Sequence, residues 1–226
     1  MSAFVIGLIV HAGFAAAAPA TQPLARLPHI QIDVRRKEVR VECEAVKADY
    51  PLEFLAVVTN TNEYEALVHS EVKPSDLHLG LLMLGLKPGE PLHYVEETRT
   101  WVPPTGPALR IWFEYEKDGK RERVPAAHWM REVKTKKEPA DFTWVFTGSK
   151  MFGDGTYGAN ATGSLVGVIN NELSVLDVPA LKSRALEARD WERNPDTMPP
   201  TGTKVTMILS PVGRDNTSSP PPTTQP

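Results

Sequence analysis

The chain of 226 residues has one cysteine, Cys43. An intramolecular disulfide is therefore impossible, an iron–sulfur cluster lacks the about four thiolates it needs, and no CxxC zinc or redox motif can be written. The sequence also lacks the HExxH pair of a zinc protease and the GK[ST] ending of a phosphate loop. No cofactor and no metal centre is expected from its motifs. A marked excess of either charge is missing too. The 25 Lys and Arg against 28 Asp and Glu give a net charge of −3, and basic residues are mixed with acids, as in Arg35-Arg36-Lys37-Glu38. Without a basic face, nucleic-acid binding is not expected. The apolar run from Phe4 to Ala18, interrupted only by His11, falls short of the about 20 residues that span a membrane.

That run closes in Ala16-Ala17-Ala18-Pro19-Ala20, the form of a signal-peptide core and its small-residue cleavage region. A cut after Ala18 would leave proline next to it, so cleavage after Ala20 is expected. No Lys or Arg precedes the run, and no Cys near the cut offers a lipid attachment point. The expected organisation is a signal peptide at 1–20, a linker at 21–28, one domain at 29–212 and a tail at 213–226. From Asn216 onward the tail contains only Asn, Thr, Ser, Pro and Gln; with nothing to bury, it is expected to be disordered. Export to the periplasm or beyond follows, with no stable membrane anchor after signal cleavage. Between the ends, 41% hydrophobic and 23% charged residues are enough for a core without disulfides.

Strand patterns dominate the domain. Val39, Val41, Cys43 and Ala45 alternate with Arg40, Glu42 and Glu44, the period-2 sign of a half-buried strand, with Cys43 on its inner side. Further strands are expected at 29–34, 52–59, 66–72, 109–115, 142–146, 164–169, 173–178 and 203–209. Asp118-Gly119 makes a hairpin turn, Gly153 to Gly163 reads as loop, and 180–191 as a surface helix. Ser75 offers an N-cap hydroxyl and Asp76 a first-turn charge to a helix whose positions from Leu77 to Leu86 are nearly all apolar. Pro88-Gly89 stops it. A helix apolar on every side is a buried one. The expected fold is α+β: a β-rich single domain of antiparallel strands around one buried central helix at about 75–87, with Leu77, Leu81, Leu82 and Leu84 in the core.

Several stretches resemble the YdjY-domain family of exported bacterial proteins. They are Pro51 to Leu55, Tyr64-Glu65-Ala66-Leu67, the run from Lys73 through His78 to Pro88-Gly89, and Trp144-Val145-Phe146-Thr147-Gly148-Ser149. Leu165 to Ile169 and Val175-Leu176-Asp177 resemble the family's closing part. The resemblance covers about Ile30 to Pro179 and implies export and a single domain, in a family of unassigned function. Some members carry a ferredoxin-like label, which the lone cysteine contradicts for this chain. Members often have His-Glu-Ser where this chain has Tyr64-Glu65-Ala66, so a mechanism requiring that His or Ser could not operate here.

Four residues are candidates for a ligand or structural site: Glu65, His69, His78 and Ser149. His78, in the first turn of an apolar helix, is expected to be neutral, because the helix dipole and burial both disfavour imidazolium. A neutral imidazole suits a general base or a hydrogen-bonded packing role. Glu65 is expected within reach of His78, either as a carboxylate–imidazole pair beside a small-ligand site or as a lock between strand and helix. Ser149 lacks the GxSxG context of a hydrolase elbow and reads as a strand-end turn hydroxyl. Trp101 and Trp129, in Pro- or His-flanked loops, are read as packing residues before ligand-lining ones. The expected function is an exported binding or envelope-associated domain whose partner is a cell-envelope protein or a small ligand. The alternative is a periplasmic enzyme, a hydrolase using Glu65 and His78.

Overall fold

With β1 (Ala25–Leu27) at its start, the N-terminal part is turned into sheet by apolar–polar alternation in β2 (Ile30–Asp33) and β3 (Glu38–Ala45) and by apolar runs in β4 (Phe54–Val58) and β5 (Ala66–Ser70). The helix α1 (Pro74–Met83) follows, then the hairpin β6 (His93–Val95) and β7 (Thr100–Val102). Next come the long hairpin β8 (Ala108–Lys117) and β9 (Lys120–Pro125), then β10 (Met130–Glu132) and β11 (Trp144–Phe146). The chain ends through α2 (Gly158–Thr162), β12 (Ser164–Gly167), β13 (Leu176–Asp177), β14 (Trp191–Arg193) and β15 (Lys204–Pro211). The computed structural model describes residues 25–140, 142–181 and 190–213. The expected signal peptide, the surface helix over 180–191 except its end residues, and the tail from 214 lie outside the described residues.

β3 closes the sheet. Along one edge it pairs with β15, Leu209 to Lys204 opposite Val39 to Glu44. Its other edge is shared, by β2 over Glu38 to Val41 and by β5 at Glu44–His69 and Ala45–Val68. The path β3-β15-β8-β11-β13-β12-β4-β5 therefore returns to β3 as an eight-stranded closed barrel. The β4–β5 and β12–β13 pairs are parallel.

This overturns the α+β expectation. Among the described residues 39% are strand and 12% helix, and no helix stands at the centre. A closed sheet fills its own interior with inward side chains. Val39, Val41 and Cys43 of β3 share that face with Ile111, Phe113 and Tyr115 of β8 and with Val205, Met207 and Leu209 of β15, in register. Trp129 is buried against Phe113 and Tyr115, centroids 4.4 and 5.2 Å away. It is a core residue, as the sequence suggested.

The helix covers the core beside β2, β3 and β12. Gly80 faces this contact: a Cβ there would meet Ile30 at 3.3 Å and Val39 at 3.5 Å. Leu77 and Leu81 are fully buried, whereas Leu82 is 41% exposed and Leu84 only packs against the core from its margin. The expectation for Leu82 is thus corrected: a helix lying on one side of a core has an outer face, and here Leu79, Leu82 and Met83 occupy it. The helix is also shorter than expected, ending at Met83. Two further corrections are local. Ala25–Leu27, inside the expected linker, pairs with β2, and Gly158–Thr162, inside the expected loop, is helical and ends at Gly163 with φ 75°.

Candidate functional site

The outer face of the barrel carries the polar half of each alternating strand. Glu42 and Glu44 project from β3, Lys204 and Thr206 from β15, Glu114 and Glu116 from β8 and His69 from β5. Together with His29 in the β1–β2 turn, Glu71 after β5 and Arg121 on β9, they line an open groove of about 1010 Å³. Five carboxylates face two permanent cations there, Arg121 and Lys204.

Most of these groups are held by neighbours. His29 bridges Glu42 and Glu71, with Nδ1 and Nε2 each 3.3 Å from a carboxylate oxygen. Glu44 pairs with Lys204 opposite it, and that hydrogen bond holds the Glu44 carboxyl below its ordinary pKa. His69 Nδ1 lies 2.7 Å from Glu63 Oε1. Burial pushes the Glu63 pKa up, but the His69 contact and the Asn60 N–H outweigh it and leave the pKa lowered. Glu114 accepts from Arg40 at 2.7 Å. Cys43 also borders the groove but is buried, and burial pushes its thiol up to about 12, so it stays an unreactive thiol at neutral pH.

Of the four sequence candidates, only His69 is in this groove. His78 lies elsewhere, between α1, α2 and the Phe146-Thr147-Gly148-Ser149 segment. Its Nδ1 is 2.9 Å from the Tyr157 hydroxyl, and its ring meets Phe146 edge-on at 5.0 Å. Burial lowers its pKa, partly opposed by a hydrogen bond to the Gly148 backbone, in line with the neutral imidazole the sequence suggested. Burial also raises the Tyr157 pKa. A neutral ring flanked by a phenol and a peptide group is a tether between elements.

Glu65 closes a short 3-10 turn at the opposite end of β5 from α1, and its carbonyl accepts the Glu53 N–H at 3.0 Å. The five residues of β5 put roughly 17 Å between that turn and the helix start. The structure does not bring Glu65 and His78 together. Ser149 has φ 63°, and its Oγ donates to the Leu173 carbonyl at 2.9 Å while accepting the Ala159 N–H at 3.0 Å. The hydroxyl satisfies an N–H of the first turn of α2.

The sequence reading missed His29, Glu42, Glu44, Glu71 and Lys204. The signal was present in the charged positions of β3 and β15, but only cross-strand register shows that they meet. Among the described residues, no group of three His, Cys, Asp or Glu side chains is arranged to hold a metal ion. No helix among them is long and apolar enough to cross a membrane.

Leu86-Lys87-Pro88-Gly89, which closes the more specific of the stretches resembling a family, and Phe146-Thr147-Gly148-Ser149, weak by itself, are in contact. Gly89 donates to the Phe146 carbonyl at 2.9 Å, and a Cβ on Gly148 would lie 2.7 Å from Pro88 Cβ. No curated protein and no solved structure matches the chain. The family model of the YdjY domain matches residues 30–210, the whole barrel almost to the end of β15, and the chain belongs to that family, whose function is unassigned.

Proposed function

We propose that the chain is an exported binding domain, acting in the periplasm or outside the cell, whose outer groove takes an amine- or guanidinium-bearing partner of the cell envelope. The observation that carries this reading is the groove itself: about 1010 Å³, with Glu42, Glu44, Glu71, Glu114 and Glu116 against Arg121 and Lys204. Surplus carboxylates along a concave surface attract cationic groups and raise their local concentration. Export rests on the apolar run that closes in Ala18-Pro19-Ala20. The hydrolase alternative gains no support, because Glu65 and His78 sit at opposite ends of β5 and the Ser149 hydroxyl is engaged on both sides.

The test titrates the protein, in low and high salt, with a Lys- and Arg-rich peptide and with its Glu-substituted counterpart. Only the basic peptide should bind, more weakly as salt screens the groove. Replacing both Glu42 and Glu71 by Gln should weaken it about tenfold, roughly 1.4 kcal/mol. Equal binding of both peptides, or none by the basic one, would remove the groove from the proposal. Mass spectrometry of the native protein should find a start near Thr21; an intact 1–20 segment in a soluble cytoplasmic fraction would refute export.

A further inference from the structure

A second cavity lies on another side of the barrel, and its origin is a split in the sheet. On one edge of β8, β11 pairs only as far as Leu109, and β9 begins its pairing at Trp112. Between them, no strand among the described residues pairs with Arg110 and Ile111 on this edge. Pro125 closes β9 there, and a proline cannot donate to a ladder. The resulting notch holds about 330 Å³. Its walls are Trp112, Phe142, Pro125 and Pro139, with Arg110 and the His128–Glu138 pair at its border. The rings are held in place. Arg123 lies 5.2 Å over the Trp112 ring, and Phe142 packs on Trp144 and Trp191 at 4.7 and 5.7 Å.

Aromatic walls with a few hydrogen-bond donors are what proline-rich segments dock against. A polyproline helix has no internal hydrogen bonds, so its rings can stack on aromatic faces while its carbonyls take external donors. The Arg110 guanidinium is such a donor. The chain carries a matching sequence, Ser218-Ser219-Pro220-Pro221-Pro222-Thr223, and from Asn216 onward it has no charged side chain. Its root is fixed nearby: Val212 N–H donates to the Ala108 carbonyl at 2.8 Å, beside β8. Arg110 is two residues along the strand from Ala108, a rise of roughly 7 Å, and the notch opens on the edge of β8 opposite β15. Pro220 is the eighth residue after Val212, and a chain of that length reaches at most about 28 Å.

We propose that the notch between β9 and β11 is a binding site for a proline-rich segment, and that its occupant is the Pro220-Pro221-Pro222 run of the same chain. A short tether supplies an effective concentration of about 1 mM. A tail peptide binding with a Kd of about 0.1 mM in free solution would therefore leave the notch about nine-tenths filled in the intact chain.

The experiment compares the full chain with a full-length variant in which Pro220, Pro221 and Pro222 are replaced by Ser, following the indole N–H resonances by NMR. The Trp112 signal should shift between the two, while that of Trp101 stays in place. A synthetic peptide of residues 216–226 should return the variant's Trp112 signal toward its wild-type position and bind the unmodified chain about tenfold more weakly. Phe142→Ala and Arg110→Ala, made separately in the Pro-to-Ser variant, should each weaken the peptide at least about fivefold. Identical Trp112 resonances in the two chains, or no response to the peptide, would overturn the proposal. So would saturation of the variant by an unrelated proline-rich peptide while the 216–226 peptide fails, which would assign the notch to another protein.

Discussion

Asp177 gives a sharp test of how burial governs this barrel. Its side chain is fully buried on β13, and Oδ1 accepts the Val178 N–H at 2.7 Å and the Asn170 amide at 3.4 Å. Oδ2 accepts the Asn171 N–H at 3.0 Å. Those donors favour the carboxylate, yet removal from water outweighs them and raises the pKa to about 7. The folded-state pKa lies above the unfolded value of about 3.9. The stability contributed by the protonated carboxyl is therefore complete below that unfolded value and is lost as pH rises through about 7. Between pH 5 and pH 8 the cost is roughly 2–3 kcal/mol, a large share of a typical 5–15 kcal/mol of net stability. Asp177→Asn keeps the shape and removes the titration. Urea unfolding of both proteins at pH 5, 6, 7 and 8, at one ionic strength, should show the wild type losing that amount relative to the variant. His78, whose folded pKa is lowered, changes stability in the opposite sense below its unfolded pKa of about 6.5. It is present in both proteins and cancels. Parallel stability curves would refute the reasoning.

The one-sided packing of α1 predicts unequal effects from two neighbouring leucines: Leu81→Ala should cost about 2–5 kcal/mol as a cavity, and Leu82→Ala no more than about 0.5 kcal/mol. Equal shifts in the urea midpoint would contradict the exposed outer face. Gly148→Ala imposes a side chain at φ 84° and within 2.7 Å of Pro88, so a loss of about 1–3 kcal/mol is expected. It should also move the His78 ring resonances, and unchanged His78 signals would show that the two are not coupled.

Strand alternation was readable wherever one face of the sheet meets water. β3, the β8–β9 hairpin around Asp118-Gly119 and β15 all lie close to where period 2 places them. Closure was not readable. It depends on two residue pairs, Glu44–His69 and Ala45–Val68, which leave no mark on the pattern of either strand. The helix was misjudged for a related reason. From Leu77 to Leu86 hydrophobicity is so even that no stripe shows which side faces inward, and only Gly80 marks the contact side, where it faces Ile30 and Val39.

The site candidates turn on a different physical point. His78 and Ser149 take the structural one of the two roles their sequence context leaves open, because a helix end on a core needs polar partners: His78 ties α1 to Tyr157 and the Gly148 backbone, and the Ser149 hydroxyl accepts a first-turn N–H of α2. The glycines of the KPG and FTGS motifs act in the same way. Gly148 lets the end of β11 approach Pro88, and Gly89 leaves room for the Thr105–Gly106 backbone, each closer than a side chain allows. These motifs thus meet at a close backbone junction of the fold. The carboxylates and imidazoles of the groove come instead from outward positions on β3, β5, β8 and β15 and from the residues flanking β2 and β5, each unremarkable in its own segment. Chemistry distributed in that way becomes visible only when register is known, because a one-residue slip of β15 against β3 would part Lys204 from Glu44 and turn Lys204 toward the core.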